Sequence, residues 1–253
     1  MVEVWRRDNY TTGGGRGEIA LIALSMTKLP DPLPISRLQH GMPEEGEGPQ
    51  QIAIVARDRA EDPDWFTESV LAPFTELIAM DLGPNAAAAA LASDHAYVIE
   101  VQLNDPDDNS HVQAAWALAK CVCEEGAAVV IDVYAARAHL GSEIAALHPE
   151  RPFDVMHEVT LFFDEQEDGT LAAWSLGLRK FGRPDLVLVG IPPESATETA
   201  LVLRDVAATL ASGERIEPGD QVASPSGRLL VAERFDPATA RVVAVEGDAI
   251  LLR

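Results

Sequence analysis

"TLAAWSLGLRKFGRPDLVLVGI", Thr170 to Ile191, holds two apolar runs around a short polar break. Leu176 and Leu178 close the first run; Leu186 and Leu188 sit in the second. Between them "RKFGRPD" must reverse the chain. Gly182 tolerates a positive φ without a Cβ clash, and Pro184 fixes the restart. Phe181 is placed to fold back on the sheet edge. Upstream, "HEVTLFFD" (His157–Asp164) reads as a further strand, and Asp168-Gly169 is a hairpin signal. The three runs predict an antiparallel meander.

Working outward, the segments before the meander alternate. "EIALIALSM" (18–26), "IAIVA" (52–56), "HAYVIEVQL" (95–103) and "AAVVIDVY" (127–134) read as strands. Between them, "EDPDWFTESVLAPFTELIAM" reads as a helix capped by Asp62, with Pro63 at its first position. Its apolar face is Phe66, Val70, Phe74 and Leu77, and Pro73 predicts a kink or a split. "NAAAAALA" (85–92) predicts a second, short helix. "SHVQAAWALAKCVCEEG" predicts the best helix of the chain. Ser110 and Gln113 are set as a capping box, Val112, Ala115, Trp116, Ala119 and Cys123 as the buried stripe, and Gly126 as the stop. After the meander, Pro193–Ser212 predicts a helix buried along Ala196, Ala200, Leu203, Ala207 and Leu210. "QVAS", "RLLVAERF", "ARVVAVEG" and "AILLR" read as short strands.

The expected fold is α/β in the α+β sense: a mixed β-sheet with helices packed on it, plus short C-terminal strands. The expected division is a poorly ordered lead-in over 1–17, a main domain over 18–221 and a β-rich extension over 222–253. "PEEGEGPQ" (43–50) reads as a polar loop. No apolar run reaches the roughly 18–20 residues a membrane helix needs, and the first residues lack a secretory signal's apolar stretch. Cys121 and Cys123 are too close to staple a fold, so reduced thiols and a cytoplasmic location are expected.

Charge is the strongest compositional feature. The chain of 253 residues carries 41 acidic and 19 basic residues, a net charge of −22. Asp58 to Glu125 alone holds 14 acids against two bases. Such a surface repels a phosphate backbone, which argues against nucleic acid. It suits a basic protein partner, with Asp62, Asp64, Asp105, Asp107 and Asp108 as partner-binding candidates. Against this background Arg179, Lys180 and Arg183 crowd around one Phe-Gly pair. They neutralise nearby carboxylates, or they bind an anionic ligand.

Motifs that would define an enzyme are weak. "GGGRG" (13–17) precedes a strand instead of following one and lacks Gly-Lys-Ser/Thr. The two thiols of "CVC" sit on different helix faces, and no second pair completes a zinc site. The six histidines form no ligand spacing, and His157 and Glu158 fall on opposite faces of the expected strand. "SPSG" (224–227) is turn chemistry, and "NDPDDNSHVQAA" has Ala115 where a calcium loop needs Glu. No catalytic residue, metal or cofactor is expected.

Ser175, Leu176, Gly177, Leu178, Phe181, Gly182, Pro184 and Asp185 carry a resemblance. The segment resembles the Ser/Thr-Leu-Gly-Leu/Met-x-x-Phe-Gly-x-Pro-Asp/Glu signature of an uncharacterised bacterial domain-of-unknown-function family, with "EPGDQV" (217–222) at the family's later turn and a loose fit over 127–147. The resemblance implies an α/β cytosolic domain, carries over no catalytic residues and says little about activity. The functional expectation is a non-enzymatic, acidic protein-interaction module, of inhibitor or immunity type. Two alternatives stand beside it: a small-molecule or anion site (or enzyme) with a pocket near Arg179–Arg183, and a structural subunit with Trp65, Trp116 or Trp174 partly exposed at an interface. A homo-oligomer is compatible with either.

Overall fold

The computed structural model describes residues 3–43, 51–148, 151, 154–223, 229–235 and 249–252. Two mixed or antiparallel sheets carry the helices, as the α+β reading expected. The chain folds as two compact units, and they divide it elsewhere than at Gly17 and Gln221. The first unit is Met1–Trp5, Glu18–Leu103 and Asp108–Phe153; the second is Arg6–Gly17, Asn104–Asp107 and Asp154–Arg253.

The first unit is built on a five-stranded sheet. Its strands are β1 (Arg16–Ser25), β2 (Gln51–Asp58), β3 (His95–Asn104), β4 (Val129–Asp132) and β5 (Arg137–Leu140), in the order β2-β3-β1-β4-β5. β1 is central because it is apolar on both faces; Leu21, Ala23 and Leu24 are fully buried. After the short α1 (Arg37–His40) come α2 (Pro63–Trp65), α3 (Ala72–Leu82) and α4 (Pro84–Leu91). A wide π-helical stretch, Phe66–Leu71, joins α2 to α3. The kink expected at Pro73 takes this form: the N–H of Ala72, the residue just before the one that has no N–H to offer, reaches back to the Thr67 carbonyl. The extra residue in that turn advances the apolar stripe by one position, so Ile78 is buried while Leu77 is only half-buried. Phe66, Val70 and Ile78 pack with Ile22, Leu24, Val129 and Ile131.

α5 (Ser110–Glu124) holds the expected stripe and more: its residues from Ser110 to Cys123 are buried, Lys120 excepted. The capping box does not form. The Ser110 N–H donates to Asp108 Oδ1 instead, and the Gln113 side chain bonds the Glu3 carbonyl and the Trp5 N–H. Ser110 is itself inside the helix, one position too late to cap it. Gly126, at φ 122°, ends the helix as expected. α6 (Gly141–Ala145) follows β5.

The second unit opens its sheet after the short α7 (Val155–Glu158). His157 and Glu158 belong to that helix and not to a strand; the strand starts at Thr160. β6 (Thr160–Glu165), β7 (Leu171–Leu176) and β8 (Asp185–Ile191) form the antiparallel meander, with Thr160 opposite Leu176 and Trp174 opposite Val187. β9 (Gln221–Ala223), β10 (Leu229–Arg234) and β11 (Ala249–Leu252) continue the same sheet, whose order is β6-β7-β8-β11-β10-β9. β11 runs parallel to β8, with Ile250 opposite Leu186. The strands expected as a separate extension therefore share a ladder with the meander. "SPSG" and the strand expected at 240–247 lie outside the described residues, as does most of the 43–50 loop. α8 (Ala196–Ala211) buries Val202, Leu203, Val206, Ala207 and Leu210. The two valines outweigh Ala196 and Ala200, which stay half-buried, because a larger apolar side chain gains more from the sheet.

Candidate functional site

Gly177 leaves β7 at φ 121°, Leu178–Phe181 forms one 3-10 turn, and Gly182 closes it in the left-handed region at φ 62°. A Cβ on Gly182 would strike the Gly15 carbonyl, so the glycine serves a close approach as well as a turn. Phe181 is fully buried. Asp185 opens the next strand and ties the turn together. Its Oδ1 accepts from the Ser175 hydroxyl at 2.9 Å and from the Leu178 N–H at 3.2 Å. Burial pushes its carboxyl up to about 7, although Ser175 and the backbone N–H groups of Leu178 and Gly177 pull the other way.

The three cations divide. Arg179 is exposed. Lys180 is fully buried, and its ammonium lies 2.7 Å from a Glu158 carboxylate that is itself 5% exposed. Arg183 is buried, and its guanidinium donates to the carbonyls of Glu214, Gly213 and Thr11 at 2.9, 2.7 and 3.2 Å. It also donates to the Gly182 carbonyl at 3.2 Å, and Asp105 lies 3.7 Å away. Burial lowers the Arg183 pKa, and Asp105 opposes that shift. Of the three, Arg179 alone stays at the surface: turn geometry sends Lys180 and Arg183 inward, where each meets oxygen acceptors of the same unit. The reading that these charges neutralise the chain's own groups describes Lys180 and Arg183. A cavity of about 360 Å³ does lie in this unit, between the first turn of α8 and β8, β10 and β11. It is lined by Leu188, Ile191, Val202, Leu230, Leu252 and neighbours, and by none of the three cations.

The glycine-rich segment completes this cluster. Residues 3–17, expected as a loose lead-in, are held: Asn9 and Thr11 donate their N–H groups to Ser212 and Gly213, and Gly15 donates to Gly182. Asp105, at φ 40°, accepts from the N–H groups of Gly13 and Gly14 at 2.7 and 2.8 Å. A Cβ on Gly14 would collide with the Arg183 guanidinium and with Asp105. Burial tends to raise the Asp105 pKa; the Gly13 N–H, Tyr10, the Gly14 N–H and Arg183 together bring it below the usual range. Arg7 caps α8 by donating to the Leu210 and Ala211 carbonyls, and it also reaches Pro106. Burial lowers its pKa to about 10, and Arg183 adds to that. "GGGRG" thus cradles a carboxylate of its own chain. Glu158 and Arg7 escaped the sequence reading, and Asp105 was given an outward role in it, because their partners are 22 to 204 residues away.

The acidic candidates also separate. Asp105 is taken up as described. Asp62 caps α2 and pairs with Arg57 at 3.3 Å. Asp108 accepts from Ser110. Asp64 and Asp107 are exposed. Along the helical run of the first unit, Glu61, Asp64, Glu68 and Glu76 are all exposed and make no ion pair among the described residues. Of the tryptophans, Trp116 is 4% and Trp174 9% exposed, so neither supplies an exposed interface; Trp65 is half-buried, with the Arg57 guanidinium 5.3 Å over its ring. Cys121 and Cys123 are free and buried, and burial pushes their thiols up to about 11 and about 12, as for structural cysteines. Among the described residues no three His, Cys, Asp or Glu side chains gather as metal ligands, and no helix is long and apolar enough to cross a membrane.

No protein-family model, curated protein or solved structure matches the chain.

Proposed function

We propose that the chain is a non-enzymatic interaction module that binds a basic protein through the acidic part of its first unit. One observation carries this reading: Glu61, Asp64, Glu68 and Glu76 stand exposed and unneutralised along one helical run, in a region with a net charge of −12. Cations were available to the fold, and Lys180, Arg183 and Arg7 are used inside the second unit instead. Uncompensated carboxylates oppose folding slightly and favour encounter with an opposite charge.

The reading is tested by capture from native extract at rising salt, with wild type beside the variant Glu61→Gln, Asp64→Asn, Glu68→Gln, Glu76→Gln. A specific partner should be retained by wild type at low salt and lost from the variant. Capture unchanged by both salt and substitution overturns the electrostatic interface.

A further inference from the structure

Among the described residues the two sheets have four edge strands, and three carry features that discourage pairing. β5 is four residues long and holds Arg137 and His139; β9 is three residues long; β6 ends in Asp164 and Glu165. Short or charged edges of this kind resist the addition of another strand. β2 is different. It pairs with β3 over all eight of its residues, from Gln51 opposite Gln102 to Asp58 opposite His95, with no bulge. No strand among the described residues covers its other edge. Gln51 to Ala56 contains no charge and no proline, and Ile52 and Val55 are 44% and 41% exposed. Successive side chains point to opposite faces, so Ile52 and Ile54 offer apolar contact on one face and Ala53 and Val55 on the other.

The charge around the strand selects its occupant. Beyond Asp58 come Glu61, Asp62 and Asp64, while Arg57 is paired with Asp62 and Arg59 is turned to the Leu91 and Ser93 carbonyls. A second copy carries the same net charge of −22, so like charge opposes its approach to this edge.

We propose that the open edge of β2 takes an extended apolar segment of a basic partner protein as an added strand, with Lys or Arg beside Asp58, Glu61 and Asp64. The proposal rests on the interaction reading above and specifies how the partner is held. Main-chain hydrogen bonds would supply affinity, and the terminal cations would supply orientation.

The probe is a short fluorescent peptide of alternating Val and Thr ending in lysines, compared with versions ending in serine or glutamate. Binding is followed by anisotropy, and the β2 amides by hydrogen exchange. The lysine peptide should bind about tenfold tighter than the serine peptide and slow exchange at β2. N-methylation of alternate peptide amides, and separately Ile52→Lys with Val55→Lys, should abolish binding while the far-ultraviolet spectrum stays unchanged. No protection at β2, or equal binding by the N-methylated peptide, overturns the edge. A dimer in light scattering that the lysine substitutions dissolve assigns the edge to a second copy and overturns it equally. If the lysine peptide protects β2 while native capture ignores the glutamine and asparagine substitutions, the edge stands and the acidic-face reading falls. If those substitutions abolish capture while the peptide leaves β2 unprotected, the acidic face stands and the edge falls.

Discussion

Two clusters of charge, one in each unit, are handled in opposite ways. In the second, Lys180, Arg183, Arg7 and Asp105 are drawn inward and bonded to groups of the same unit. In the first, Glu61, Asp64, Glu68 and Glu76 are left in water. The same class of side chain therefore does two kinds of work. An inward charge holds the fold, because removing its partner strands it away from water. An outward charge contributes little to stability and is free to meet another molecule. Local sequence does not distinguish them: "LRKFG" looks as polar as "DWFTES", yet Lys180 of the first is enclosed while Asp64 and Glu68 of the second are exposed.

The contrast breaks most sharply at Lys180. Lys180→Met should cost about 3–5 kcal/mol, since Glu158 would be left buried without its counter-ion. Chemical denaturation measures this. The double variant Lys180→Met, Glu158→Leu should recover much of the loss. A single variant within about 0.5 kcal/mol of wild type would mean that the pair is solvated and the unit is not organised by inward charge.

Asp185 gives the contrast a pH dependence. Its folded pKa, about 7, lies above its ordinary value of 3.8. The folded state therefore holds this proton more tightly than the unfolded chain does. Stability from this group is complete below about pH 4 and is lost as pH rises toward 7, by up to about 4 kcal/mol. Asp185→Asn keeps an oxygen to accept from Ser175 and Leu178 but cannot ionise. Its advantage over wild type should grow across that window; parallel stability curves would remove Asp185 as the cause.

Arg183→Met comes next, at about 3 kcal/mol, from carbonyls of Thr11, Gly213 and Glu214 left without their charged donor. Gly14→Ala should weaken the same cluster by collision, without touching any charge.

These residues also mark how far the sequence could be read. Period and turn chemistry are local, so β1, β3, the meander and the Gly126 stop are visible in it. Cys121 and Cys123 could be assigned to packing because a single helix decides which way they point. The direction of Lys180 could not be read, because it depends on Glu158, in a segment whose His-Glu-Val start resembles the strand that follows. "GGGRG" misled for a similar reason: its carboxylate partner, Asp105, arrives from 91 residues away. The buried stripe of the first long helix slipped by one because a π turn, invisible to a 3.6-residue period, precedes Pro73. Long-range partners and helix irregularities decide orientation, and neither leaves a local pattern.

The smallest expected effect tests the outward half of the contrast. Substituting Glu61, Asp64, Glu68 and Glu76 by their amides should change unfolding free energy by less than about 0.5 kcal/mol at each site. Self-repulsion within the −22 chain makes the sign favourable, so the combined variant should be as stable as wild type or slightly more so. The gain should fade as salt rises, because exposed charges are screened over about 10 Å at 0.1 M salt. A substantial loss of stability would show that these carboxylates are held by the fold after all. Unchanged stability with lost partner capture would instead separate the two clusters by function: the one around Arg183 spends its charge on the fold, and the helical run of the first unit presents it.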